Sequence, residues 1–407
     1  MSMTSRERVL KALNFEQVDR LPCDLGGMAS TGISAFAYSA LVKMLGLNPR
    51  KPRIHDSYQM LALPDMDVLD ALGCDVVSVF WGVTNAFEEP EKWQEYDFNG
   101  RLPAMVRNRN LFTDEKDGTI IQPNLKAKMP PTSTVFNEEH GGQPFELSGS
   151  LPKPDIEEVR KQQKAALPTD EEIKAIVDLC KNARQLTDKA IFFNGPINVD
   201  ISITSPGGIA IFPILCLTEP GYVADLHGLL TEYAIKRIEI LLPSITQYVD
   251  IIMLSSNDLG TQNNLIAPPY VYENLFMPYL KKINDKIHLI APDVKTFLHS
   301  CGAIYGLIDL IIESGFDVLN PVQWPAGGKQ YCQWKDKARN RIALWGGGVD
   351  TQHTLPQGSV NDIEKEVTEI TKCMSRDGGY VFNAIHNLLA EIAPEKIIAM
   401  YRAANRI

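Results

Sequence analysis

The chain has 407 residues, 44% hydrophobic and 22% charged. That is enough apolar surface to offset chain entropy, so a disordered, fibrous or low-complexity protein is excluded, and one large barrel or two to three smaller domains are allowed. A balance of 40 Lys plus Arg against 50 Asp plus Glu gives a net charge of -10, which repels phosphate backbones and anionic lipid heads, so neither nucleic acid nor a membrane is an expected partner.

Met1 to Glu16 mixes Arg6, Glu7, Arg8 and Lys11 with apolar positions, unlike the uninterrupted core of a secretory signal. The longest apolar run, Ile209 to Leu217, is interrupted by Pro213 and falls far short of the roughly 20 residues that span a bilayer. A soluble, cytoplasmic protein is expected. Seven cysteines, at 23, 74, 180, 216, 301, 332 and 373, show no framework spacing, which points to free thiols in a reducing compartment. All but Cys301 read as small core residues.

Thr4 and Glu7 have the spacing of a capping box, and Val9, Leu10 and Leu13 recur at helical intervals, so the chain opens with a short amphipathic helix. A strand follows at Arg20 to Leu25, where Pro22 predicts incomplete pairing. Further β-rich runs lie at Asp75 to Phe80, Ile191 to Phe193, Val249 to Leu254, Lys295 to Leu298, Phe316 to Leu319, Ile342 to Trp345 and Tyr380 to Phe382. Helical patterns alternate with them at Glu171 to Leu186, Val223 to Leu242, Tyr270 to Ile287, Ile304 to Ser314 and Val360 to Met374. Eight strands in βαβ units predict an α/β fold, a (β/α)8 TIM barrel in a single domain over 1–407. The doubly wound alternative calls for a glycine-rich phosphate turn after its first strand, and Gly26 to Gly32 does not fit G-x-G-x-x-G. Residues 88–146 break the rhythm with Trp93, Tyr96, Phe98 and a turn-like Asp117-Gly118, reading as hairpins in a β-rich, lid-like insertion. Residues 149–154 resemble a linker.

A barrel of this kind builds its active site at the carboxyl ends of the strands. Polar residues fall there repeatedly: Asp24, Asn194, Asn257 with Asp258, His299 with Cys301, Asn320 with Gln323, Asp350, and His386 with Asn387. Taken singly, an Asn or Asp at a strand exit is ordinarily a cap or turn residue. His299-Ser300-Cys301 is more pointed, because an i, i+2 pair in extended backbone projects both side chains to one side, and imidazole and thiolate are preferred zinc ligands. A third ligand can come from His386, Asp258, Cys332 or His353. His386 lies three strands from the one ending in His299 and reaches the metal only over the barrel axis. The three glycines Gly346-Gly347-Gly348 suggest close backbone approach to another segment or a ligand. No G-x-S-x-G elbow, phosphate-binding loop or H-E-x-x-H motif is present.

The order of these motifs resembles the uroporphyrinogen decarboxylase superfamily over nearly the whole chain. The segments that carry it are 6–13 (RERVLKAL), 19–22 (DRLP), 257–262 (NDLGTQ), 297–302 (FLHSCG), 317–323 (DVLNPVQ), 346–352 (GGGVDTQ) and His386-Asn387. The resemblance implies a (β/α)8 barrel and one of two chemistries. The decarboxylases act on a polycarboxylated tetrapyrrole with two arginines in R-Q-A-G-R-Y and need no metal, whereas Asp24 to Tyr38 contains no Arg or Lys. The cobamide-dependent methyltransferases resemble this chain through H-x-C and bind Zn2+ with those residues plus a later cysteine, in whose place His386 stands.

Exchanging a thiolate for neutral imidazole leaves zinc a stronger Lewis acid, suited to oxygen. The resemblance therefore implies O-demethylation. In that reaction His299, Cys301 and His386 hold zinc, and Asn194, Asn257, Asn320, Gln323 and Asp350 contact a methoxylated aromatic. Asp258 serves as a further ligand or a proton donor to the leaving oxygen, and the cobalamin of a separate corrinoid protein takes the methyl group. Methyl transfer from a methylcobamide to a thiol such as coenzyme M, and metal-free decarboxylation, are the alternatives. Both a monomer and a homodimer are compatible with this reading.

Overall fold

The computed structural model describes residues 3–138, 151, 153–199, 201–203, 208–209 and 211–406. Seven parallel strands form most of a closed barrel: β1 (Val76–Phe80), β2 (Ala190–Asn194), β3 (Ile251–Ser256), β4 (Lys295–His299), β5 (Val318–Asn320), β6 (Ala343–Trp345) and β7 (Tyr380–Val381), each paired with the next. Residues 22–24 close the ring between β7 and β1. Phe382 N–H donates to Pro22 O (2.8 Å), Asp24 N–H to Phe382 O (2.9 Å), and Asp75 N–H to Cys23 O (2.7 Å). The (β/α)8 expectation is met, with the first stave reduced to a single bridge at Cys23, as a proline without an N–H allows.

Helices cover the outside. Thr169 with Glu172 and Ser359 with Asp362 form capping boxes for Asp170–Leu186 and Val360–Met374. Two expected helices differ in detail. Residues 270–287 are divided into Pro269–Leu275 and Met277–Ile290 at Phe276, and 304–314 opens with a 3-10 turn before Ile308–Glu313. Among the described residues no helix is long and apolar enough to cross a membrane.

The opening helix, Ser5–Leu13, plugs the amino-terminal mouth with Val9 and Leu13. These join Met28, Val76, Ala190, Phe192, Ile251, Met253, Phe297, Val318, Ala343, Trp345 and Val381 in one interior cluster, with Phe192 edge-on to Phe297 at 4.8 Å. Inward positions alternate along a strand. Two residues past the apolar layer, the same alternation turns Ser78, Asn194, His299, Asn320 and Asn383 toward the carboxyl-terminal mouth, and a polar layer begins there.

The amino-terminal charges serve this closure. Asp75, fully buried, accepts from Arg8 (2.6 Å), Arg20 (2.7 and 2.8 Å), Ser5 Oγ (2.8 Å) and Cys23 N–H (3.0 Å). Asp75→Ala takes one partner from Arg8, which keeps Asp19 (2.7 Å), and, among the described residues, the only carboxylate from Arg20, and is expected to cost about 3 kcal/mol in chemical denaturation. A loss below about 1 kcal/mol would show that the arginines find other partners.

The β-rich part holds an antiparallel pair, Gln94–Tyr96 with Ala104–Val106, and a meander of Thr113–Asp114, Ile120–Gln122, Ala127–Met129 and Asn137–Glu138. It begins earlier than residue 88, because Ile33–Ser34, Arg53–Asp56 and Leu61–Ala62 share a sheet with the first pair. Residues 139–146 of the expected insertion, and 149, 150 and 152 of the expected linker, lie outside the described residues. The expectation of seven free thiols is corrected: Cys332 and Cys373 form a disulfide between Tyr331–Ala338 and Val360–Met374. The other five are free.

Candidate metal centre

β4 delivers His299 to the inner face, and the chain then turns sharply. Ser300 N–H donates to Asn320 O (2.7 Å), and Ser300 Oγ accepts from Leu259 N–H (3.1 Å). Gly302 follows at φ +96°, where a Cβ would stand 2.3 Å from the Gly260 backbone, so only glycine fits. The tight turn leaves the Cys301 side chain beside His299, with Sγ 3.4 Å from Nε2. His386, beyond β7, brings its ring centroid to 6.0 Å from that of His299. One ligand atom from each of His299, Cys301 and His386 lies within 4.8 Å of the others. His386 therefore stands beside the His299–Cys301 pair although it follows β7, three strands from β4.

These donors fit zinc. Bond lengths of about 2.0–2.3 Å in a tetrahedron place ligand atoms about 3.3–3.8 Å apart, as His299 and Cys301 already are. Burial pushes His299 down, and pushes His386 down to about 4 with His299 adding to the shift, so both imidazoles offer lone pairs at neutral pH. Burial and the Asp258 carboxylate push the Cys301 thiol up, a bias that a divalent cation at this point would oppose. Asp258 is half-exposed. Its Oδ1 accepts from Cys301 N–H (2.8 Å) and lies 3.8 Å from His299 Nε2, beside the three ligands and outside their cluster.

Cys301 and His386 open onto a pocket of about 150 Å3, walled by Gln323, Pro325 and Ile385 and by Asp350, Thr351 and Gln352 from the loop after β6. Among the described residues no Lys or Arg lines it. Gln323 Oε1 accepts from Gly302 N–H (2.7 Å), which turns its amide N–H groups the other way. Asp350 Oδ1 accepts from the backbone of Gln352 (2.8 Å) and His353 (3.2 Å) and so shapes this wall.

The sequence pattern of the uroporphyrinogen decarboxylase (URO-D) family matches residues 141–407. The chain belongs to that family. No curated protein sequence matches it significantly. Among solved structures it is similar to a methyltransferase from Methanosarcina mazei, with a TM-score of 0.56 and 17% identity over 100% of this chain and 99% of that one. A psychrophilic glycoside hydrolase family 10 endo-beta-1,4-xylanase aligns at TM-score 0.32 and 9% identity, over 54% of this chain and 72% of its own. At such identities the likeness to the methyltransferase is one of fold.

On this family barrel, Gln323 and Asp350 are the expected substrate contacts that reach the pocket. Two others meet protein groups. Asn257 is enclosed, its Oδ1 accepting from Ile203 N–H (2.8 Å) and Ser202 Oγ (3.2 Å), so it holds the loop after β2. Asn320 is fully buried, facing His299 and the Trp345 backbone. Asn194 donates to Gly27 O (2.9 Å). Pro325, Thr351, Gln352 and Ile385 were not singled out. For Thr351 and Gln352 the signal was adjacency to Asp350 in the 346–352 segment. Gln352 also accepts from Gln262 Nε2 (2.9 Å), tying the loops after β3 and β6 together beside the pocket.

Proposed function

We propose that the protein is a zinc-dependent methyltransferase that moves a methyl group from a methoxylated aromatic substrate to the reduced corrinoid of a partner protein. The observation that carries this reading is the convergence of two imidazoles and one thiol, of which Cys301 and His386 stand on the wall of a ring-sized pocket. A zinc ion held by His299, Cys301 and His386 would supply a Lewis acid that polarises the ether oxygen. A cavity of about 150 Å3 is the size that holds benzene. Ile385 and Pro325 give the ring apolar contact, while the outward amide of Gln323 offers a donor to a ring substituent. In this reading Asp258, whose Oδ1 accepts from Cys301 N–H, acts as the protonated carboxylic acid: it gives its proton to the ether oxygen and becomes the carboxylate as the O–CH3 bond breaks and the methyl group leaves for the corrinoid.

The size and the absence of cationic side chains among the lining residues disfavour an eight-carboxylate tetrapyrrole. The β-rich segment supports a covering role, because Ile33 bridges Leu388 and Asn387 donates to Gln59 Oε1 (3.2 Å), both directly after His386. Incubation with methoxybenzoates and a reduced corrinoid protein is expected to release the corresponding phenol in proportion to corrinoid. Absence of phenol across a panel of methoxyarenes, with methyl transfer to coenzyme M or corrinoid-independent release of CO2 instead, would replace this reading.

A further inference from the structure

We propose that Asn320 is a positioning residue that holds His299 in one tautomer, so that its Nε2 is preset as a ligand before any ion arrives; this rests on the metal-centre reading above. Asn320 Nδ2 lies 3.0 Å from the carbonyl oxygen of Trp345, and Asn320 Oδ1 lies 2.6 Å from His299 Nδ1. A backbone carbonyl only accepts, so the amide group facing Trp345 is the NH2. That leaves an oxygen facing His299, and an oxygen requires a proton on Nδ1. The Nε2 lone pair is then directed to the side where Cys301 Sγ stands at 3.4 Å.

The carboxamide is itself locked. Trp345 is fully buried in β6, and its indole N–H donates to Asp24 Oδ2 at 3.0 Å, which fixes the carbonyl that orients Asn320. Gly346, at φ +83°, clears the space beside it: a Cβ there would sit 3.1 Å from Asn320 Nδ2 and 3.0 Å from Ala384 O. Asn320 and Trp345 end neighbouring strands, so the chain from Asp24 to His299 runs through the polar layer of the barrel mouth, behind the pocket.

The test reads metal-free protein with 15N-labelled histidine, assigning His299 through its loss in His299→Ala. Wild type is expected to show Nδ1 protonated and Nε2 bare. Asn320→Leu should release the ring to a mixture or to the opposite tautomer, whereas Asn320→Asp, which cannot donate to Trp345 O but still accepts from Nδ1–H, should keep Nδ1 protonated. In chelator competition Asn320→Leu should bind zinc about 10–100-fold more weakly, and Asn320→Asp should recover most of that loss. Gly346→Ala, which crowds the same amide, provides a second route if Asn320→Leu does not fold. An unchanged tautomer and unchanged zinc affinity in Asn320→Leu or Gly346→Ala would overturn the proposal. Failure of wild type to bind zinc would overturn the metal reading alone, because the tautomer decides the role of Asn320 without metal.

Discussion

Protein purified from metal-replete medium is expected to carry one zinc per chain, and His299→Ala, Cys301→Ala and His386→Ala are each expected to lose it. The three ligand atoms lie within 4.8 Å of one another, and they come from two segments of chain on different parts of the barrel mouth. Structural zinc sites bind with about 10–16 kcal/mol. Removing one of three protein ligands should forfeit about 3 kcal/mol or more, about a hundredfold in affinity. Asp258→Ala is the control. Its carboxylate touches Cys301 N–H and stands apart from the three-ligand cluster, so this variant should keep its zinc while methyl transfer slows. Zinc retained in His386→Ala and lost in Asp258→Ala would assign the third ligand to the carboxylate. No zinc in any form would remove the Lewis acid from the chemistry.

The barrel could be read from sequence because most staves carry their own signal, a short β-branched or aromatic run followed by a polar exit and a helical period; Arg20 to Leu25, with no such residue, is the weakest and forms only one bridge. What stayed hidden depends on partners far along the chain. Ile33–Ser34 and Leu61–Ala62 are two residues long, too short for alternation to register; they pair with each other, and Leu61–Ala62 joins them to Arg53–Asp56. The Cys332–Cys373 bond joins residues 41 apart, brought together by the packing of two helices rather than by any spacing. At the site, H-x-C was legible because its geometry is local. The polar character of Asn257 and Asn320 was equally legible, but the direction of their amides was not. Asn257 answers to residues 54 and 55 positions away, and Asn320 to His299 and Trp345 at separations of 21 and 25. The glycine triplet gave a correct sense of crowding without its object: Cβ atoms at Gly347 and Gly348 would stand 2.6 Å from Val322 O and 2.2 Å from the Phe382 ring.

The second large effect concerns the identity of the third ligand. His386→Cys is expected to keep zinc and to lose O-demethylation by at least about tenfold, equal to about 1.4 kcal/mol of barrel-mouth electrostatics at the transition state. The native set of two imidazoles and one thiolate cancels a single unit of the ion's charge, and a second thiolate cancels another. A unit charge about 4 Å from the developing phenolate is worth about 4 kcal/mol at an effective dielectric near 20. Only the part that differs between ground and transition state reaches the rate, so tenfold is a modest expectation. The same substitution should favour thiols relative to ethers, since a softer, less charged centre suits sulfur. Phenol release per bound zinc, measured beside methyl transfer to a thiol, reads both at once. A variant that binds zinc fully and cleaves the ether at the native rate would show that His386 contributes reach across the barrel mouth and no tuning of charge.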